Sequence, residues 1–144
     1  MDLRFFEIYR SGEYLGLILG GALTSLGLTI AAGVVGFVLA FLLAFLRFKQ
    51  IPVLERIAAG YIDFIRNTPL IVQLFFIAFG LPMLLGYVWP FWCHALLALT
   101  INFSGYFAEI LRSGFASTQR GQLEAAAALN LPNRTVFGLS LIHI

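Results

Sequence analysis

The stretch from residue 15 to residue 48 constrains this chain more than any other. It contains a single charged residue, Arg47. Wound as one α-helix it would run about 50 Å, against roughly 30 Å of bilayer hydrocarbon. An apolar helix of that length belongs in lipid. Its excess length predicts a break or a tilt. The pair Gly20-Gly21 is the expected break, because glycine is a weak helix former. The first span is then expected at residues 22–46.

Composition points the same way. Hydrophobic residues make up 60% of the 144 and charged residues 11%, where a soluble domain carries about 25% charged residues. A formal charge of +2 resting on so few charges gives no reason to expect nucleic acid. Cys93 is the one cysteine, so an intrachain disulfide is excluded. Residues 1–14 mix Phe5, Phe6, Ile8 and Tyr9 with charges and read as an interfacial lead-in. Asp2, Glu7 and Glu13 stand where a signal peptide needs positive charge.

Small residues recur every four positions at Ala32, Gly36, Ala40 and Ala44. Such a ladder lets a second helix approach closely in lipid, within one subunit or between two. Gly12, Gly16 and Gly20 form a shorter one.

Beyond Arg47 come Lys49, Glu55, Arg56, Asp63 and Arg66. Residues 52–66 are amphipathic, with Pro52 suited to a first helical turn. They fit a surface helix or the tail of the next span. Thr68-Pro69 fits an N-cap and first turn, or a kink in a longer helix over residues 52–80. Gln73 is polar inside an apolar run, as a helix–helix hydrogen bond or as part of a substrate path. Residues 82–92 hold Tyr87, Trp89 and Trp92 and no charge, which predicts the turn at the opposite interface.

The third span is expected at residues 91–111, ending at Arg112. Asn102, Tyr106 and Glu109 follow at i, i+4 and i+7, on one helical stripe. Asn102 suits a polar substrate or an inter-helix hydrogen bond. Glu109 is the one acid within a span; it marks a pathway or forms an interfacial ion pair. Residues 112–134 return to water with Arg112, Arg120, Glu124 and Arg134.

Seven of the nine Lys and Arg residues lie at 47–66 and 112–134. The positive-inside rule puts both segments in the cytoplasm and the N-terminus outside.

No catalytic constellation or metal-ligand cluster is visible, and no cofactor is implied. His94 beside Cys93 has no further ligand near it in sequence. A phosphate-binding P-loop needs Gly-Lys before Ser or Thr. Lys49 is the only lysine, and it follows Phe48. Active transport by this chain would draw its energy from an ATPase on another subunit.

Three stretches carry a resemblance. Gly21-Ala-Leu-Thr24 opens the first span. Tyr61-Ile-Asp-Phe-Ile-Arg-Asn-Thr-Pro-Leu-Ile-Val-Gln-Leu-Phe-Phe76 leads into Phe79-Gly-Leu-Pro82. Tyr106-Phe-Ala-Glu-Ile-Leu-Arg112 is followed by Gly121-Gln122 and Glu124-Ala-Ala126. Over about residues 12–137 the chain resembles the permease subunit of a bacterial type I ABC importer of the polar amino-acid branch (His, Glu, Gln, Arg, opines).

The resemblance implies an all-α membrane bundle, with three spans present of an expected five, in a bacterial inner membrane. It makes Arg66, Asn67, Thr68 and Pro69 a family motif. It makes Gly121, Gln122, Glu124, Ala125, Ala126 and Asn130 a cytoplasmic coupling loop, at about residues 113–134. That loop docks on a separate ATPase. The other implied partners are a second permease copy or a related permease, a periplasmic substrate-binding protein and the bilayer.

Asn67 and Asn130 depart from the family's usual glycines; at Asn130, after the loop helix, Asn also tolerates the left-handed conformation of a helix C-cap. Residues 138–144 read as an atypical tail: Ser140-Leu-Ile-His143 stands where the family has Ile-x-Leu-Pro. With the two further spans absent, a truncated or frame-shifted reading frame is expected. An ion-coupled carrier would want paired titratable groups at mid-membrane, where only Glu109 is offered. A purely structural assembly protein leaves the Arg-Asn-Thr-Pro stretch unexplained.

Overall fold

The computed structural model describes residues 12–48, 52–116 and 120–132, and they are helical almost throughout. Helix α1 is Gly12–Phe48 and α2 is Pro52–Arg66. Helix α3 is Leu70–Phe75; it passes through a π turn, Phe76–Gly80, into α4, Leu81–Leu85. Helix α5 is Phe91–Ala116 and α6 is Arg120–Ala128. The interfacial lead-in up to residue 11 and the tail at 138–144 lie outside the described residues, as do Lys49 and Arg134.

Among the described residues, two helices are long and apolar enough to cross a membrane, over Tyr14–Arg47 and Phe91–Gly114. A third crossing results if α2 and the segment Leu70–Leu85 form one span, broken by a 102° bend. The all-α bundle expected from the sequence is what is found.

The expected break at Gly20-Gly21 is not there, because α1 continues through it for 37 residues. The reason is energetic. A glycine costs about 1 kcal/mol in a helix interior. Each backbone group left unpaired in lipid costs several kcal/mol. The Thr24 hydroxyl adds a further bond to the Gly20 carbonyl at 2.9 Å.

Helix α1 packs along α5 through the small-residue ladder. Ala32, Gly36, Ala40 and Ala44 are all buried. A Cβ built on Gly36 would stand 2.9 Å from Phe103 Cβ, 3.2 Å from the Thr100 carbonyl and 3.3 Å from the Ser104 nitrogen. Only glycine admits that approach. Ala40, Ile62 and Ala108 form the core where α1, α2 and α5 meet. The shorter ladder behaves differently: Gly12, Gly16 and Gly20 face open space.

Helix α2 buries Ala58, Ile62 and Ile65 and leaves Val53, Ile57 and Phe64 exposed. It meets the segment Leu70–Leu85 at 102°, so it is not a straight tail of the next span. At the other end, Gly86 closes α4 in the left-handed conformation, with φ 69°. The aromatic turn follows, and α5 begins at Phe91, where it was expected; it extends past Arg112 to Ala116.

Candidate functional site

A helix that stops leaves its last carbonyls without intrahelical partners, and lipid offers none in their place. Here the Arg66-Asn67-Thr68-Pro69 motif supplies them. The Asp63 carbonyl accepts from the Asn67 backbone N–H at 3.0 Å and from Asn67 Nδ2 at 2.8 Å. The Phe64 carbonyl accepts from the Thr68 hydroxyl at 2.8 Å. The Ile65 and Thr68 carbonyls accept from Gln73 Nε2 at 2.8 and 2.9 Å. Pro69, with no N–H to lose, takes the N-cap position of α3 without a side-chain cap. The sequence therefore breaks where replacements for the lost bonds are at hand.

Two expectations are settled by this geometry. Pro69 does not bend a continuous helix; it stands between two helices. Thr68 is not an N-cap for the following helix; its hydroxyl points back and seals the preceding one.

The predicted stripe on α5 meets the break at three successive points. Asn102 Nδ2 donates to Gln73 Oε1 at 3.3 Å, and both residues are buried. The Tyr106 hydroxyl donates to the Arg66 carbonyl at 3.4 Å. Glu109 lies 3.7 Å from the Arg66 guanidinium. Gln73 thus spends both amide hydrogens on the break and its oxygen on α5.

Glu109 is the centre of a larger cluster. Arg47, at the end of α1, approaches it at 3.3 Å. Arg112, one turn along α5, grips both carboxylate oxygens, with Nε at 3.0 and 3.1 Å. One carboxylate so joins the ends of α1, α2 and α5, and three arginines from distant parts of the sequence gather at one end of the bundle. Sequence reasoning found Glu109 and Arg112 but not the convergence of Arg47 and Arg66. Nor did it foresee that the hydroxyl of Tyr61, which opens the second stretch, shares a 2.7 Å hydrogen bond with Ser104.

Toward the other end, His94 is buried, stacked on Tyr87 at a centroid distance of 5.8 Å and beside Trp89 at 6.0 Å. No group of three potential metal ligands exists among the described residues.

The expected coupling loop contains a formed helix, α6, which includes Gly121, Gln122, Glu124, Ala125 and Ala126. Gly121, Glu124, Ala125, Ala127 and Ala128 are exposed. Asn130 has a φ of 51°. Its N–H bonds the Ala127 carbonyl and the Leu131 N–H bonds the Ala126 carbonyl, both at 3.0 Å. That pair is a Schellman cap, so asparagine does the work of the glycine it replaces.

A bent helix pair, a charged knot at one end of the bundle and an exposed helix following α5 make up an all-α bundle of the membrane type. Residues 36–141 match the binding-protein-dependent transport system inner membrane component family, and the chain belongs to that family. It is 36% identical over 116 residues to the arginine transport system permease protein ArtQ of Bacillus subtilis (strain 168), covering 80% of this chain and 52% of ArtQ. It is 40% identical over 129 residues to the octopine transport system permease protein OccM of Rhizobium meliloti, covering 83% and 52%. The L-cystine transport system permease protein TcyL of Bacillus subtilis (strain 168) is 31% identical over 139 residues, covering 92% and 58%. A crystal structure of an amino acid ABC transporter with histidines superposes with a TM-score of 0.84 at 33% identity, covering 99% of this chain and 64% of that one. The chain spans about half the length of the curated relatives it matches.

Proposed function

We propose that this chain is the transmembrane permease component of an ATP-driven importer that carries polar amino acids across a bacterial inner membrane. The energy enters through a separate ATPase subunit that docks on α6. The observation that carries this is α6 itself: a capped, exposed helix bearing Glu124, beyond the end of the span that packs on both α1 and α2. Its alanines leave room for a close approach, and Glu124 can pair with a basic groove. The relatives' names, permeases for arginine, octopine and L-cystine, support the amino-acid class.

The remaining partners in this reading are a second copy of the permease or a related permease, a periplasmic substrate-binding protein and the bilayer. The many exposed Leu, Val, Ile and Phe side chains of α1 suit lipid and a neighbouring permease subunit. The arginine-rich end of the bundle faces the cytoplasm and the aromatic turn faces the periplasm, in line with the positive-inside rule.

The test is Glu124→Arg in the permease co-expressed with its ATPase. The ATPase should no longer co-purify in detergent, while membrane insertion is intact. Undiminished co-purification would overturn the docking role of α6.

A further inference from the structure

We infer that Gln73 is a positioning residue for transport: it ties the helix break to α5, so that α2, the break and α5 move as one body. The inference rests on the coupling role proposed for α6.

Both donors of Gln73 are committed. Its amide nitrogen has two hydrogens, and these go to the Ile65 and Thr68 carbonyls. Its oxygen accepts from Asn102. A buried amide engaged this way has no donor left for a substrate. Its chemistry is turned inward, onto the backbone of the break and the stripe of α5.

That stripe is a zipper. Asn102, Tyr106 and Glu109 meet Gln73, the Arg66 carbonyl and the Arg66 guanidinium in register. Gly105 lies among them, where a Cβ would stand 2.8 Å from Ile65 Cγ2. So α2 sits against the α5 backbone with no slack. Since α6 follows α5 in sequence, a displacement of α6 by the ATPase would reach the break through these contacts. Without the Gln73 link, α3 would lose its side-chain hydrogen bond to α5, while Arg66 and Ile65 still held α2 against it.

The experiment uses the permease–ATPase complex in proteoliposomes. Gln73→Met keeps the length of the side chain and removes its hydrogen bonds. Asn102→Leu cuts the tie to α5 but leaves Gln73 sealing the Ile65 and Thr68 carbonyls, so the break stays intact. For each variant the maximal transport rate per complex, the apparent KM, the basal ATPase rate and ATPase co-purification are measured.

Maximal transport should fall about tenfold in both variants with KM unchanged. Basal ATP hydrolysis and co-purification should persist, and the double variant should be no worse than Gln73→Met, because one link is being cut twice. A raised KM at unchanged maximal rate would overturn the inference, by making Gln73 a substrate contact. Undiminished transport in Asn102→Leu would overturn it as well. So would loss of the ATPase from either variant, which would reduce the link to a prop for folding. The docking role of α6 is tested separately by Glu124→Arg.

Discussion

The side-chain nitrogen of Gln73 lies 2.8 Å from the carbonyl oxygen of Ile65, eight residues earlier, on the far side of a helix break. A side chain here replaces a backbone donor that Pro69 cannot supply. The same substitution of side chain for backbone recurs at Phe64, and it explains why polar residues cluster inside an apolar span.

Redundancy at Asp63 leads to a first prediction. Its carbonyl accepts from both the backbone and the side chain of Asn67. Asn67→Gly removes only the second bond, at an exposed position. Thermal unfolding in detergent should show a change within about 0.5 kcal/mol, and transport should be unaffected. A large loss would mean that the Asn67 side chain is indispensable to the break.

Gly36 should be far less tolerant. In Gly36→Ala the new methyl would press on the backbone of Thr100 and Ser104, which cannot rotate away. The expected loss is about 1–3 kcal/mol, the usual range for overpacking. Gly33→Ala is the matched control, because no atom lies within 4 Å of its added carbon. Equal melting temperatures for the two variants would contradict close packing of α1 on α5.

Glu109 holds three arginines, so deleting the carboxylate and deleting one arginine are not equivalent. Glu109→Gln leaves three cations facing one another. Arg47→Gln leaves Glu109 still bound by Arg66 and Arg112. Glu109→Gln should destabilise the bundle by about 1–3 kcal/mol, given that part of the cluster is solvated, and Arg47→Gln by less. Denaturation of both variants at low and high salt gives the order; the reverse order would rule out Glu109 as the hub.

The cap of α6 can be tested through the docking it supports. Asn130→Gly keeps the left-handed conformation open, whereas Asn130→Val strains it by about 1–2 kcal/mol. ATPase co-purification should survive the first change and weaken in the second. Equal retention would show that the cap is not needed for docking.

Orientation is open to direct labelling. In a Cys93→Ser background, Ala127→Cys places a thiol on the exposed α6. An impermeant thiol reagent should leave it unmodified in intact cells and modify it after lysis. Modification from outside would invert the topology.

The stripe and the ladder were legible because each is a periodicity. Ala32 through Ala44 repeat every four residues, and Asn102, Tyr106 and Glu109 share one face. What lay beyond reach were choices between helix and break. Propensity alone favoured a break at Gly20-Gly21, but propensity is small beside unpaired backbone in lipid. The deciding question was where a backbone donor is missing: Pro69 has none for the Ile65 carbonyl, and the Thr68 hydroxyl and the Gln73 amide stand in around it. The meeting of Arg47 and Arg66 at Glu109 depends on helix crossings that no local pattern encodes.

The bend also bears on the order in which the chain is built. Asp63, Phe64, Ile65 and Thr68 find partners no more than eight residues away. None of those bonds waits for a distant segment. The elbow can therefore set while α2 and α3 are entering the bilayer, before α5 has been synthesised. Assembly then reduces to fitting a late helix against a corner that has already hardened.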